Sequence, residues 1–352
     1  MTGDTVGGVW TFTIELARAL AAREIEVVLA TLGARPSAAQ IEAAACVPGL
    51  CVLGSDYRLE WMEDPWADVE ASGKWLMQIA RDYSPDLVHL NSFGHGALPW
   101  RAPTVLTAHS CVLSWWGAVR KSPLPPVWNR YRTTVKRSLA GADLVTAPSS
   151  ALAHALVQHY GVAECRVIAN GCDASRFQAL RKEPLVFTAG RAWDEAKNIA
   201  AVAGVAPRLS WPVYVAGDAG EADFPGCRLL GRLGTPEMAE WYGRAAIYAL
   251  PARYEPFGLS ILEAALSGCA LVVGDIPSLR EIWADAAILV PPEDTVALRE
   301  ALEALIADAH LREEMALLAY TRAIRFNAET MGRRYLRAYL DAATLRKKQC
   351  VS

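Results

Sequence analysis

The chain is short of the features that would tie it to a structural metal, a membrane interior or nucleic acid. Eight of its 352 residues are Cys, at 46, 51, 111, 165, 172, 227, 269 and 350, and no two of them form a C-x-x-C pair. That excludes the common zinc and dithiol signatures and gives no disulfide framework. Several lie in apolar runs, where Cys acts as a small hydrophobe, so the expected setting is a reducing cytoplasm. No apolar run reaches the roughly 20 residues that a bilayer-spanning helix needs, and no stretch reads as a secretory leader. Positive excess is missing too. Net charge is −3, so nucleic acid is not expected as a partner. One scarcity is local: no Asp or Glu occurs between Asp86 and Asp143.

What is abundant is apolar. Hydrophobic residues make up 53% of the chain and charged residues 21%, enough for large cores, and the length suits two domains. Apolar runs of strand length fall at 26–31, 50–53, 87–90, 104–107, 144–147 and 166–169 in the first half. In the second half they fall at 185–189, 213–216, 228–230, 247–250, 270–273 and 288–290. Helical patterns separate them. The expectation is an α/β chain with parallel sheets covered on both faces, as two doubly wound Rossmann-like domains. Ligands in such folds sit at the carboxyl ends of the strands.

One stretch concentrates chemistry. After the run at 247–250 come Tyr254, Glu255, Pro256, Phe257, Gly258 and Leu259, then a helical pattern that carries Glu263 and ends near Gly268. Pro256 and Gly258 stand where loop turns into helix. Backbone N–H groups at a helix start attract phosphate, and the helix dipole adds to the attraction. Glu255 and Glu263 bracket that turn, which suits a ligand carrying both a diphosphate and hydroxyls. The plainer reading is a buried helix with two solvated carboxylates.

The stretch resembles the E-x7-E signature of retaining glycosyltransferases of family 4, with the GT-B fold, and its Pro-Phe-Gly-Leu filling fits as well. The resemblance covers nearly the whole chain. It implies two Rossmann-like domains facing across a cleft: an acceptor-side domain over 1–176 and a nucleotide-sugar-binding domain over 177–327. A helix over 328–345 is expected to cross back to the first. It implies that Gly190 and Arg191, with Lys197 further on, bind the donor diphosphate, and that Phe257, Gly258 and Leu259 form its turn. Glu263 would hold the ribose hydroxyls, and Glu255 would face the sugar ring. His109, after the run at 104–107, would contact the donor sugar; a lone His after a strand is otherwise most often structural. Gly7 and Gly8 match the family's glycine loop, which approaches the donor phosphates and the acceptor; they also read as a plain turn before a helix over 9–22. In the family a strand precedes that loop, and here that first strand is expected to be missing.

The implied activity is transfer of a sugar from a nucleoside diphosphate donor to a glycan, lipid-linked or small-molecule acceptor, with retention at the anomeric carbon. No Asp-x-Asp pair occurs, which disfavours the other main glycosyltransferase fold, where a metal holds the diphosphate. Arg and Lys would take that role here, with no metal and no cofactor. Two other classes stay open: a sugar-nucleotide epimerase, which the E-x7-E stretch speaks against, and a non-catalytic nucleotide-sugar-binding subunit. The interval without carboxylates carries Arg120, Lys121, Arg130, Arg132, Lys136 and Arg137 among Trp115, Trp116 and Trp128. Residues 115–137 therefore allow peripheral contact with anionic membrane at its inner face. A solvated helix face over packed aromatics is the alternative.

Overall fold

The computed structural model describes every residue except 192, 219, 221–223 and 352, and only the backbone of 348–351. The chain divides into two α/β units. The first comprises Met1–Gly117, Ser122–Gly171 and Ala328–Ser352, the second Ala118–Lys121 and Cys172–Asn327. The division falls at Gly171–Cys172, ahead of the expected 176. The Cys172 N–H donates to Phe326 O at 3.2 Å and Cys172 bridges to Asn327, which ties it into the second unit.

Short β-branched runs make the strands of the first unit, and amphipathic stretches between them make its helices. In order these are β1 (Thr2–Asp4), α1 (Gly8–Ala21), β2 (Val27–Leu32), α2 (Ala38–Ala45), β3 (Leu50–Gly54), α3 (Trp66–Tyr83) and β4 (Val88–Leu90). Then come β5 (Thr104–Thr107), α4 (Val112–Val119), α5 (Asn129–Gly141), β6 (Leu144–Ala147), α6 (Ser150–Tyr160) and β7 (Arg166–Val167). All pairings are parallel, in the orders β1-β2-β3 and β4-β5-β6-β7. β1 lies beside β4. Asn91, just after β4, stitches the two together: its backbone N–H donates to Thr2 Oγ1 (2.8 Å) and its side-chain amide to Thr2 O (2.7 Å). The combined order β3-β2-β1-β4-β5-β6-β7 reverses between β1 and β4, where doubly wound folds bind ligands.

The first strand is therefore present, which corrects the expectation that it is missing. Thr2, Gly3 and Asp4 pair in parallel with Ala30, Thr31 and Leu32. The segment escapes a reading by pattern because it is three residues long and has no apolar side chain. Its place is set by backbone pairing and close packing: a side chain at Gly3 would meet Leu29 Cδ1 at 2.9 Å.

The second unit follows with β8 (Glu183–Ala189), α7 (Ile199–Val205), β9 (Val213–Ala216), β10 (Cys227–Gly231), α8 (Thr235–Arg244) and β11 (Ala245–Leu250). After them come α9 (Leu259–Leu266), β12 (Ala270–Gly274), α10 (Pro277–Trp283), β13 (Ile288–Val290), α11 (Thr295–Ala307) and α12 (Ala309–Ala323). Its parallel sheet has the order β10-β9-β8-β11-β12-β13, so chain direction across the sheet reverses between β8 and β11. Val186, Ile247, Ala270, Val272, Leu298 and Leu302 are fully or almost fully buried in its core. The first four come from strands apolar on both faces, as parallel strands covered by helices must be, and Leu298 and Leu302 come from α11, which covers them.

The last helix, α13 (Ala328–Val351), belongs to the first unit. Met331, Tyr335, Ala338 and Ala342 pack against Phe12, Leu16 and Leu20 of α1. Tyr339 Oη lies 2.8 Å from His89 Nδ1, and Arg166 pairs with Asp341 at 2.8 Å. No described helix is long and apolar enough to cross a membrane.

Candidate active site

In the second unit the predicted residues gather where β8 and β11 end. Gly190 follows β8, and its N–H donates to Ala216 O at 3.0 Å. Gly217, with φ +128°, ends the neighbouring strand; a Cβ there would lie 1.9 Å from Gly190 O, so the two turns touch backbone to backbone. Arg191 comes next. Its guanidinium donates to Asp194 Oδ2 at 2.8 Å and lies over the Trp193 ring, 5.2 Å from the centroid. Asp194 is buried, and its other oxygen accepts from the Ala196 N–H at 3.1 Å. That shapes the turn and aims Lys197. Asn198 then pins this turn to the loops after β11 and β13, donating to Pro251 O (2.9 Å) and Pro292 O (2.7 Å).

The loop after β11 brings in the first carboxylate of the motif. Lys197 Nζ donates to Glu255 Oε2 at 2.5 Å. Glu255 Oε1 accepts from the N–H groups of Gly258 (3.0 Å) and Phe257 (3.4 Å). Ser278 Oγ holds the Glu255 carbonyl at 2.5 Å. Glu255 is thus a largely buried carboxylate matched by one ammonium and two backbone donors, all charge-assisted bonds. This corrects one expectation: the Phe257 and Gly258 N–H groups are not free for phosphate, because Glu255 occupies them. Gly258 caps α9 at φ +88°, a conformation that costs a residue with a Cβ about 1–2 kcal/mol. The Phe257 ring is 2% exposed and packs edge-on against Phe326, so it holds the loop rather than presenting a surface. Leu259 begins α9, half-buried. Glu263 lies one turn on and is half-buried. It stands over two buried phenols: burial first, and then the Glu263 charge, pushes Tyr242 well above 10, and burial also raises Tyr248. The Tyr248 hydroxyl donates to Ala189 O at the end of β8 (3.2 Å).

In the first unit Gly7 caps α1 with φ 101°, and Gly7 and Gly8 are exposed just beyond β1. His109 follows β5. Its Nε2 lies 2.8 Å from Asn91 Oδ1, and its ring meets the Phe12 ring edge-on at 4.6 Å. Burial pushes the imidazole down to about 3, so it is neutral at ordinary pH. Gly7, Gly8 and His109 therefore share the carboxyl end of the sheet at its reversal.

The basic, aromatic interval is more mixed than its composition suggests. Arg130 pairs with Glu70 at 3.0 Å and stacks on Trp66 at 4.5 Å. Arg120 and Lys121 pair with Glu195 (2.9 Å) and Glu293 (3.7 Å). Arg132, Lys136 and Arg137 stand exposed on α5, and no ion pair holds them among the described residues. Trp115, Trp116 and Trp128 are half-buried.

Two residues of this arrangement carry no motif. Asn91 and Asp194 act through the residues they hold. The signal that could have found Asn91 is positional: a polar side chain directly after a buried strand in a parallel sheet.

The family profile described as Glycosyltransferase Family 4 matches residues 6–176, and that described as Glycosyl transferases group 1 matches residues 183–308. The chain belongs to glycosyltransferase family 4. It is 28% identical over 205 residues to glycogen synthase of Mycobacterium tuberculosis (strain ATCC 25618 / H37Rv), covering 52% of this chain and 50% of that protein. The chain thus spans about half the length of that relative. It is 27% identical over 376 residues to D-inositol 3-phosphate glycosyltransferase of Nocardia farcinica, covering 93% of this chain and 82% of that one. Sucrose-phosphate synthase from Thermosynechococcus elongatus superposes with a TM-score of 0.77 at 19% identity, over 100% of this chain and 96% of that one. Anabaena HepE in complex with UDP-glucose gives 0.76 at 17%, over 96% and 98%. These likenesses establish the GT-B fold.

Proposed function

We propose that the protein transfers a glycosyl group from a nucleoside diphosphate sugar to an acceptor hydroxyl with retention of configuration. The observation that carries this reading is the pairing of Lys197 with Glu255 at the start of α9, beside Arg191 at the end of β8. A departing nucleoside diphosphate gains negative charge as the bond from the anomeric carbon to the phosphate oxygen breaks. Lys197, Arg191 and the first-turn N–H groups of Leu259, Ser260 and Ile261, which precede any intrahelical acceptor, favour that charge. The acceptor oxygen bonds to the anomeric carbon on the face the phosphate leaves, and its proton passes to the phosphate oxygen. Glu255 balances Lys197, as Asp194 balances Arg191, until donor binds, and it favours positive charge developing on the sugar. Glu263 takes the ribose hydroxyls, since a carboxylate can accept from two at once. The arginine and lysine do the work of a metal, so none is required. The solved relative that holds UDP-glucose supports a nucleotide-sugar donor. The acceptor is a glycan, a lipid-linked molecule or a small molecule.

The test combines purified protein with nucleoside diphosphate sugars and a panel of such acceptors, with and without chelator. Release of nucleoside diphosphate that requires acceptor, a product with the donor's anomeric configuration by proton NMR, and indifference to chelator are expected. Sugar isomerisation without acceptor, or tight donor binding with no turnover against the whole panel, would overturn the reading.

Arg132, Lys136 and Arg137 on α5 support a second, compatible proposal: peripheral contact with anionic lipid, at the inner face of a membrane, through the 115–137 interval.

A further inference from the structure

We propose that Asn91 is a positioning residue that locks His109 as its Nε2–H tautomer, leaving Nδ1 to accept a hydrogen bond from a hydroxyl of the bound sugar. This rests on the reading that His109 meets the donor sugar.

The assignment follows from which groups can donate. Asn91 is 7% exposed and lies at the reversal of the first sheet. Its backbone N–H is fixed on Thr2 Oγ1 and its side-chain nitrogen faces Thr2 O at 2.7 Å. A peptide carbonyl only accepts. Turning the amide over would set two acceptors 2.7 Å apart, so the nitrogen must face Thr2. The amide oxygen is then the end that faces His109 Nε2, at 2.8 Å. That oxygen also only accepts, so Nε2 carries the hydrogen. A neutral imidazole has one N–H and one lone pair, and the lone pair falls to Nδ1. Phe12, edge-on at 4.6 Å, fixes the ring plane. Because Thr2 pairs with Ala30 on β2, the lock is anchored in sheet backbone. Burial keeps the ring uncharged, as described above.

The chemistry sets a specificity. An acceptor nitrogen can take a hydroxyl hydrogen but cannot hold a phosphate oxygen or a carboxylate, which are acceptors themselves. His109 is therefore excluded from the diphosphate and reads a neutral, hydroxyl-bearing position of the sugar. It discriminates against a deoxy or carboxylate group there. At position 91 Asp would repel Thr2 O, and Ser is too short to span both partners.

The test is nitrogen NMR of the full chain with 15N-labelled histidine, with the His109 signals identified by their loss in His109→Gln. At pH 7 Nε2 should appear protonated and Nδ1 as a bare, pyridine-like nitrogen. In Asn91→Ala the two tautomers should mix; Asn91→Ser serves the same purpose if the alanine variant folds poorly. A protonated Nδ1 in the unmodified protein, or an unchanged tautomer in both variants, overturns the proposal. Saturation with UDP-glucose should shift the Nδ1 resonance, whereas UDP alone should not. A bound sugar nucleotide that leaves Nδ1 unmoved overturns the acceptor role. Asn91→Ala should also raise donor KM about 10-fold with a smaller change in kcat, as loss of one hydrogen bond predicts, and should erase discrimination against the matching deoxy sugar. If no nucleotide sugar binds at all, the donor reading fails while the tautomer result still decides the lock.

Discussion

Lys197 Nζ stands 2.5 Å from Glu255 Oε2, joining the turn after β8 to the loop after β11. The two are partners before any donor arrives, and each neutralises the other in a largely buried place. Removing one leaves the other charge uncompensated, which is costlier than the pair's net worth. The cation that awaits the diphosphate and the carboxylate that awaits the sugar are thus one electrostatic unit.

That unit predicts non-additive kinetics. Lys197→Ala and Glu255→Gln should each lower kcat on the order of 10²–10³ with one identified donor. The double variant should lose little more than the worse single, because residues acting together do not add. Losses that multiply would mean the two act independently, and unchanged turnover in both singles would remove this site from the chemistry.

Much of this arrangement was legible in the sequence, and the rest was hidden for physical reasons. The strand runs at 104–107, 144–147, 213–216 and 288–290 appear in the structure with those same bounds, since buried parallel strands are apolar on both faces and punctuated by turn residues. β1 was not legible because backbone pairing, not side-chain pattern, holds Thr2–Asp4. The motif marks the loop and helix start that follow β11. The motif could not reveal that Glu255 itself takes the N–H groups of Phe257 and Gly258, because a carboxylate three residues before a helix N-cap can either bond to that turn or point away. No motif marks Asn91, because its partners, Thr2 and His109, lie 89 and 18 residues away.

A side chain at Gly258 should be costly. Its φ is +88°, and a Cβ would sit 2.7 Å from Ile261 Cδ1. Gly258→Ala should cost about 1–2 kcal/mol from the backbone alone, or about 2–8 °C in the unfolding midpoint for a unit of this size. It should also weaken donor binding, because the Glu255 cap depends on that turn. Calorimetry and donor titration measure the two effects. An unshifted midpoint would show that the turn relaxes freely.

Acid should destabilise the first unit before the carboxylates titrate. His89, His95 and His109 are held neutral, chiefly by burial, His95 near 4 and His109 near 3. Unfolded, each titrates near 6.5. The unfolded chain therefore binds more protons below that pH, and stability falls as pH drops from about 6.5 towards 4. At pH 5 the loss is about 2 kcal/mol per histidine. Urea midpoints across this range should fall, and His95→Gln should flatten the slope. A midpoint constant from pH 7 to 5 would contradict neutral burial.

Arg120, Lys121 and Arg130 already have carboxylate partners, whereas Arg132, Lys136 and Arg137 stand exposed on one helix. Near an anionic surface each cation contributes about 1 kcal/mol. Replacing these three with Gln should weaken binding to phosphatidylserine-containing vesicles by about 100-fold, while Arg130→Gln should change it far less. Raising salt should release the unmodified protein, because exposed charges are screened within about 8 Å at physiological ionic strength. Sedimentation at equal protein with neutral and acidic vesicles reads the difference. Equal pelleting with both would leave α5 as a solvated face and nothing more.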